Sequence, residues 1–301
     1  METIDLEGAV QLFDLYCRSK GLAERTVETY RDALRGLRDF LTGAGCGQQI
    51  PTAQSLRTYM AWMLERGLSP TTAAIRMRSI RAFCNFLARE GIVEKSPMAN
   101  VGIPKTPNEY PDVLSQGQVR MLLDACGRSS WTGIRNYTML LTFIDTGVRL
   151  GELIGLNVED VDLSMQVIRV RKGKGSKDRR VFMGRTLSRA LRKWLATRTF
   201  SLSGQALFTT RQGMRLEARN VERILERTAA RAGLNVMHIT PHKLRHTFAT
   251  HYIMNGGDPF SLQRILGHSD IKTTMIYVNL AGVGLREAHA KASPVDRLLE
   301  R

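Results

Sequence analysis

Between Val101 and Ser115 the chain reads VGIPKTPNEYPDVLS, three prolines in fifteen residues with no apolar period. Proline fixes its own φ and pushes the residue before it out of the helical region. A helix cannot run through this stretch, and it separates two segments of different pattern. The 301 residues are therefore expected to form two domains, residues 1–103 and 115–301, joined by a linker at 104–114.

The first segment is patterned as helix. In Leu22 to Leu41, the apolar Val27, Tyr30, Leu34, Leu37 and Leu41 recur at spacings of three and four, which makes one apolar face. Ser69-Pro70 supplies a cap and a first-turn proline for a helix reaching Arg89. There Ile75, Ile80, Phe83 and Leu87 give a roughly helical core face. Four or five short helices are expected before the break.

After the break, helical pattern runs from Gln116 to about Cys126 and from Trp131 to Gly147. Then the period changes. QVIRVRKGKGSKDRRVFM alternates apolar and charged residues around a Gly/Ser/Lys centre, the mark of a β-hairpin with a basic tip. Ala206 to Thr210, ALFTT, is expected as a third strand. From Gly213 the chain returns to helices. The expected class is mainly α with a small antiparallel β-sheet.

Charge narrows the function. The chain carries 44 Lys+Arg against 28 Asp+Glu, net +16. Residues 1–105 hold 14 basic and 11 acidic side chains; residues 106–301 hold 30 and 17. An excess this large points to a polyanion, most often nucleic acid. No amphipathic helix has a compact basic face for a membrane surface, and no apolar run approaches the roughly 18 residues of a membrane span. The N-terminus METIDLEGAV is acidic, unlike a secretory signal. Cys17, Cys46, Cys84 and Cys126 are scattered without a C-x-x-C pair, as expected of free thiols in a reducing cytoplasm.

Four short stretches could carry chemistry. From Arg169 to Arg180 the hairpin tip has seven basic residues and one acid, Asp178. Such a tip contacts DNA backbone, or a single lysine on it enters a site as proton donor. In PHKLRHTFATHY, His242 and Arg245 are three apart and share a helical face. His242 and His246 are four apart, but no Glu follows the first histidine as H-E-x-x-H requires, and no cysteines stand nearby. An exposed basic helix accounts for His246 and His251. In TGVRLGEL, Arg149 stands at a helix end with Glu152 three residues later, a pair that also suits a plain surface. Asp258-Pro259 starts a helix that ends by Gly267 and leaves His268 at its exit. Ser269 is placed to cap the next helix, which carries Tyr277.

Together these residues suit transfer at a DNA phosphodiester. Guanidinium forks hold two negative oxygens and stay charged. Stabilising charge on the transferring group supplies most of the help in such reactions. A tyrosine hydroxyl, with ordinary pKa about 10, attacks if a neighbour takes its proton, and a lysine protonates the leaving 5′ oxygen. The phosphotyrosine link stores the bond energy, so strands are rejoined without ATP.

The four stretches resemble the boxes of the tyrosine recombinases, or phage integrases, and nearly the whole chain looks closest to the two-domain Xer-like members. TGVRLGEL looks like the first-arginine box, which implies Arg149 as a phosphate-binding catalytic residue. GKGSKDR resembles the hairpin lysine box, implying Lys174 as general acid; Lys172 and Lys177 are its rivals. HKLRHTFATH resembles the H-x-x-R box, implying His242 and Arg245. LGHSDIKTTMIY resembles the closing box, implying His268 and the nucleophile Tyr277. Glu152 is assigned to orienting Arg149.

The resemblance further implies a helical, SAM-like core-binding domain and an α+β catalytic domain that clamp double-stranded DNA core sites. It implies cleavage and rejoining through a 3′-phosphotyrosine intermediate and a Holliday junction, without metal, ATP or other cofactor. The expected assembly is a homo-tetramer on DNA, or a hetero-tetramer with a paralogous recombinase, in the cytoplasm. With the first helix expected within about ten residues of Met1, an arm-binding domain like that of larger integrases is not expected. The closing segment AGVGLREAHAKASPVDRLLER is expected as a tail helix docking into a neighbour. The alternatives are a DNA-relaxing enzyme like the type IB topoisomerases and a DNA-binding protein without strand exchange. A metal-dependent nuclease would need a carboxylate cluster that the sequence lacks.

Overall fold

The structure is a computed structural model. It describes residues 4–45, 47, 49–104, 111–171, 178–198, 205–282, 293 and 295. Two compact units divide the chain, Met1–Glu109 and Tyr110–Arg301.

Among its described residues the first unit contains four helices: α1 (Leu6–Ser19), α2 (Glu24–Gly43), α3 (Ala53–Glu65) and α4 (Pro70–Arg89). Their starts follow local capping chemistry. Asp5 accepts from the Gly8 amide, Thr52 and Ser55 exchange side-chain and backbone bonds, and Ser69 accepts from the Thr72 amide with Pro70 behind it. Of the face expected on α2, Val27, Leu34, Leu37 and Leu41 are buried and Tyr30 packs against the same core. On α4 one expectation is overturned: Ile75 is exposed. Ala73, Met77, Ile80, Phe83, Cys84 and Leu87 form the buried face instead, because their spacings of three and four hold one side of the helix, whereas Ile75 stands five residues from Ile80. Phe13 meets the edge of Phe83 with ring centroids 5.5 Å apart.

The second unit begins with α5 (Gln116–Asp124), α6 (Trp131–Thr146) and the short α7 (Leu150–Gly155). A three-stranded antiparallel sheet follows: β1 (Val161–Asp162), β2 (Val167–Val170) and β3 (Arg179–Phe182), in the order β1-β2-β3. Ile168 faces Val181 and Arg169 faces Arg180 across β2 and β3. Alternation buries Ile168, Val170 and Val181 and leaves Arg169 and Arg180 outside. The hairpin is where the sequence places it; its tip, residues 172–177, lies outside the described residues.

The third strand is not Ala206–Thr210 but β1. Residues 206 and 209 make only isolated bridges, to Asn157 and Arg215. Side chains take up the carbonyls a ladder would use. Arg198 Nη2 donates to Ala206 O at 2.6 Å, Trp194 Nε1 to Leu207 O at 2.9 Å, and Arg135 Nη1 to Thr209 O at 2.9 Å. The segment is buried but pinned by side chains.

The chain finishes with α8 (Arg185–Thr197), α9 (Ala218–Arg231), α10 (Pro241–Met254), α11 (Pro259–Leu266) and α12 (Lys272–Ala281). α10 packs against α6, α11 and α12. Its Leu244 joins the main core with Phe143, Leu153, Ile168 and Trp194, and its Phe248, Ala249 and Ile253 form a smaller cluster with Leu262, Leu266 and Tyr277. Asp258 caps α11 as expected. Ser269 does not cap α12; the Asp270 carboxylate accepts from the Lys272 amide at 2.9 Å. Of the segment expected as a tail helix, Ala281 and Gly282 close α12 instead, and the rest is not described apart from Ser293 and Val295. Among the described residues no helix is long and apolar enough to cross a membrane. Cys17, Cys84 and Cys126 are free and buried; burial pushes the Cys84 thiol up to about 12. Cys46 is not described.

Candidate active site

Four of the six expected residues come together: Arg149, Arg245, His268 and Tyr277. The meeting point is set by two glycine-ended helices. α6 stops at Gly147, φ +62°, and α11 at Gly267, φ +66°, a left-handed conformation that costs glycine little. Each turn aims a carbonyl at α10. Arg245, 4% exposed, donates from Nη1 to Gly147 O at 2.5 Å and from Nη2 to Leu266 O at 2.7 Å. Its Nη2 also contacts His268 Nε2 at 3.1 Å. Its two other N–H groups, on Nε and Nη1, have no partner among the described residues. Burial, with the Arg149 charge nearby, pulls its pKa down to about 10, so it stays cationic at neutral pH.

These contacts fix the His268 tautomer. A guanidinium only donates, so Nε2 accepts, and Nδ1 carries the proton toward Thr274 Oγ1 at 3.0 Å. Burial first, then the charges of Arg245, Arg149 and Arg179, lower the His268 pKa to about 4. His268 is a neutral imidazole at pH 7, and it steers Arg245.

Arg149 is the N-terminal cap residue of α7. Glu152 accepts from its backbone amide at 2.7 Å and from Nη1 at 3.0 Å, as expected of an orienting carboxylate. Sequence reading missed the stronger partner: Arg179 on β3 grips both Glu152 oxygens, at 2.6 and 2.8 Å, and donates from Nε to Ile265 O at 2.7 Å. One arginine thus ties the sheet to α7 and α11. Burial pushes the Glu152 pKa upward, but the bonds from Arg179 and from the Arg149 amide outweigh it and hold it at about 2. A clue lay in the register: with Val181 facing inward, Arg179 shares its side of β3.

Tyr277 on α12 is 3% exposed. Its hydroxyl meets His246 Nδ1 at 2.9 Å, and its ring lies near-parallel to that of His268, centroids 6.4 Å apart. Burial raises its pKa, while Arg245 and Arg149 pull the other way. His246 is therefore not the exposed basic residue expected. It lies one position past Arg245 on α10, and helix rotation carries it to the α12 side; sequence spacing alone did not reveal the crossing of those helices.

His242 stands apart from this cluster. It is exposed in the first turn of α10, at a cleft of about 810 Å³ lined also by Thr240, Pro241 and by Arg219, Glu222 and Arg223 of α9. It has no hydrogen-bond partner among the described residues. Lys174 and its rivals Lys172 and Lys177 lie outside the described residues.

The site thus holds a buried phenol beside a neutral histidine and two arginines, a set suited to nucleophilic attack at a phosphate. Family comparison agrees. The phage integrase family model matches residues 112–282, and the model of the phage integrase N-terminal SAM-like domain matches residues 10–91. The chain belongs to the phage integrase family. It is 32% identical to the tyrosine recombinase XerD of Pseudomonas aeruginosa over 98% of this chain and 99% of that protein. It is 35% identical to the tyrosine recombinase XerC of Salmonella typhi over 84% of this chain and 83% of that one. The crystal structure of XerA recombinase shares 28% identity and a TM-score of 0.54, covering 96% of this chain and 99% of that chain. The Tn1549 transposon integrase in complex with a circular intermediate DNA matches the fold with a TM-score of 0.76 at 22% identity, covering 96% of this chain and 99% of that chain.

Proposed function

We propose that this chain is a site-specific DNA recombinase that cleaves and rejoins strands through a 3′-phosphotyrosine. The observation that carries this reading is the Tyr277 hydroxyl, buried yet hydrogen-bonded, in one cluster with Arg245, His268 and Arg149.

Tyr277 Oη attacks phosphorus and the P–O5′ bond breaks. Arg149 and Arg245 hold the non-bridging oxygens; the unassigned N–H groups of Arg245 are the donors available for this. His268 acts through Arg245 by accepting from Nη2. Lys174 gives a proton to the departing 5′ oxygen. His242, at the rim, has a place on the DNA side of the phosphate. The 5′-hydroxyl of a second strand then reverses the steps and completes exchange through a Holliday junction. Residues 1–103 serve as the core-binding domain, 104–114 as linker and 115–301 as catalytic domain. Double-stranded core sites, a reading supported by the excess of basic over acidic residues, a homo- or hetero-tetramer on DNA and action in the cytoplasm complete the proposal.

A covalent trap tests it. The protein is mixed with fragmented genomic DNA in EDTA, stopped with detergent and digested, and peptides are read by mass spectrometry. The expected product is a nucleotide adduct on Tyr277, and the attached DNA reports the site. Tyr277→Phe keeps DNA affinity and yields no adduct, because backbone contacts elsewhere dominate affinity. Normal cleavage by that variant, or an adduct on another tyrosine, sinks the assignment.

A further inference from the structure

The attack on phosphorus needs a group that takes the phenol proton, and the geometry points to His246: we infer that His246 Nδ1 is the proton acceptor for Tyr277. The inference rests on the recombinase reading above and adds a residue to it.

Three observations lead there. First, His246 Nδ1 is within hydrogen-bond reach of the Tyr277 hydroxyl, at 2.9 Å, and it is the sole hydrogen-bond partner of that hydroxyl among the described residues. Geometry of this kind is the first requirement for a base. Second, the other histidine against the phenol is committed. Nε2 of His268 accepts from Arg245 and its Nδ1 donates to Thr274, so His268 gains a proton only by releasing Arg245. Third, His242, one turn earlier on α10, is exposed and makes no bond to Tyr277.

The surroundings keep His246 in the form this role needs. The groups facing it are Tyr277 on α12, His268 at the exit of α11, and Arg245 and His242 on its own helix. Burial first, then the charges of His242 and Arg245, lower its pKa below the ordinary 6.5. The neutral ring with its proton on Nε2 presents a lone pair on Nδ1 to the phenol O–H. A protonated ring would instead donate to Tyr277 and block transfer.

The step balances. The Tyr277 Oη–P bond forms as the P–O5′ bond breaks; the phenol proton passes to His246 Nδ1, and the 5′ oxygen takes its proton from the general acid. In rejoining, His246 returns the proton to Tyr277 Oη as the 5′-hydroxyl attacks.

The test is single-turnover cleavage of a nicked suicide duplex carrying the site recovered by the covalent trap, followed from pH 5 to 9. Wild type is expected to lose activity on the acid side with an inflection below pH 6.5. His246→Ala is expected to cleave about 100-fold more slowly, the low end for a positioned base, and to lose that acid limb; His242→Ala keeps it. His246→Asn separates proton transfer from positioning, because its amide oxygen still accepts from the phenol but takes no proton. It should be as slow as His246→Ala. A duplex with a 5′-bridging sulfur, whose leaving group needs no acid, should leave both His246 variants slow. Near-normal rates for His246→Asn reduce His246 to a positioning residue and overturn the inference. So does recovery of His246→Ala on the sulfur substrate, which would make His246 part of the acid path. If wild type forms no adduct on Tyr277, the recombinase reading fails; if wild type forms it and His246→Ala matches its rate and pH profile, only the present inference fails.

Discussion

Glu152 holds Arg149 and Arg179 together beside the site. Two arginines and one amide converge on a carboxylate 8% exposed. Its folded pKa, about 2 against an ordinary 4.5, is depressed. The stability it contributes is therefore complete above pH 4.5 and is lost as pH falls toward 2, an effect of up to about 3 kcal/mol at 1.36 kcal/mol per pKa unit. Glu152→Gln should lower stability at pH 7 by roughly 3–5 kcal/mol, the cost of leaving a buried partner charge uncompensated. Its stability should also flatten between pH 4.5 and 2, where wild type declines. Denaturant melts at several pH values check both. Parallel pH curves for the two proteins would mean that the carboxylate is not the titrating group. At this scale the sequence picked out Arg149, Glu152, Arg245, His268 and Tyr277 as candidates, since each lies within a distinctive short stretch, and the structure brings them together. It did not show Arg179 or His246 as partners. Arg179 pairs with a residue 27 positions away and His246 with one 31 away, and such pairings depend on how helices cross rather than on local spacing.

Among the elements, the turn ending α6 matters most. Gly147 has φ +62°, its carbonyl accepts from Arg245, and Arg149 follows two residues on. A Cβ there would run into the Phe248 ring and lie 2.9 Å from Leu266. Gly147→Ala should therefore cost about 2–5 kcal/mol, from left-handed strain and overpacking together, and should slow cleavage by shifting both arginines. Gly151→Ala is the control: its Cβ meets nothing within 4 Å inside helix α7, so melting temperature should hold or rise slightly. Equal melting temperatures for the two variants would show that the turn tolerates a side chain. The hairpin and the helix starts at Ser69 and Asp258 were legible because caps and alternation act within a few residues. Ala206–Thr210 was misread as a strand. Its apolar run is buried, but the carbonyls of Ala206, Leu207 and Thr209 are satisfied by Arg198, Trp194 and Arg135, side chains brought from the α8 region and α6.

At the scale of the whole molecule, each unit has its own core. The first centres on Phe13, Leu37, Tyr59 and Phe83, and the second on Phe143, Trp194, Phe208 and Leu244. Residues 1–104 alone should fold and unfold in one cooperative transition, with a calorimetric enthalpy of about 70 kcal/mol at roughly 0.7 kcal/mol per residue. A broad melt without a heat-absorption peak would show that the unit needs the rest of the chain. Charge is divided unequally: 30 basic and 17 acidic residues lie in 106–301, against 14 and 11 in 1–105. The logarithm of DNA affinity should therefore fall more steeply with the logarithm of salt for a fragment of residues 111–301 than for residues 1–104. Equal slopes would place the phosphate contacts evenly.

By itself the sequence determined the break into two units, the helical class with one hairpin, the net positive charge and the short stretches that hold the candidate site residues. Each is a property of composition or of neighbours along the chain: proline geometry, apolar period, capping and net charge. Tertiary structure alone decided which of those side chains meet. The carbonyls of Gly147 and Leu266 seat Arg245, Arg179 locks Glu152, His268 becomes a neutral acceptor, and His246 rather than His242 reaches Tyr277. These outcomes follow from burial and from long-range hydrogen bonds, whose strength depends on excluding water between groups that only the packed helices bring together.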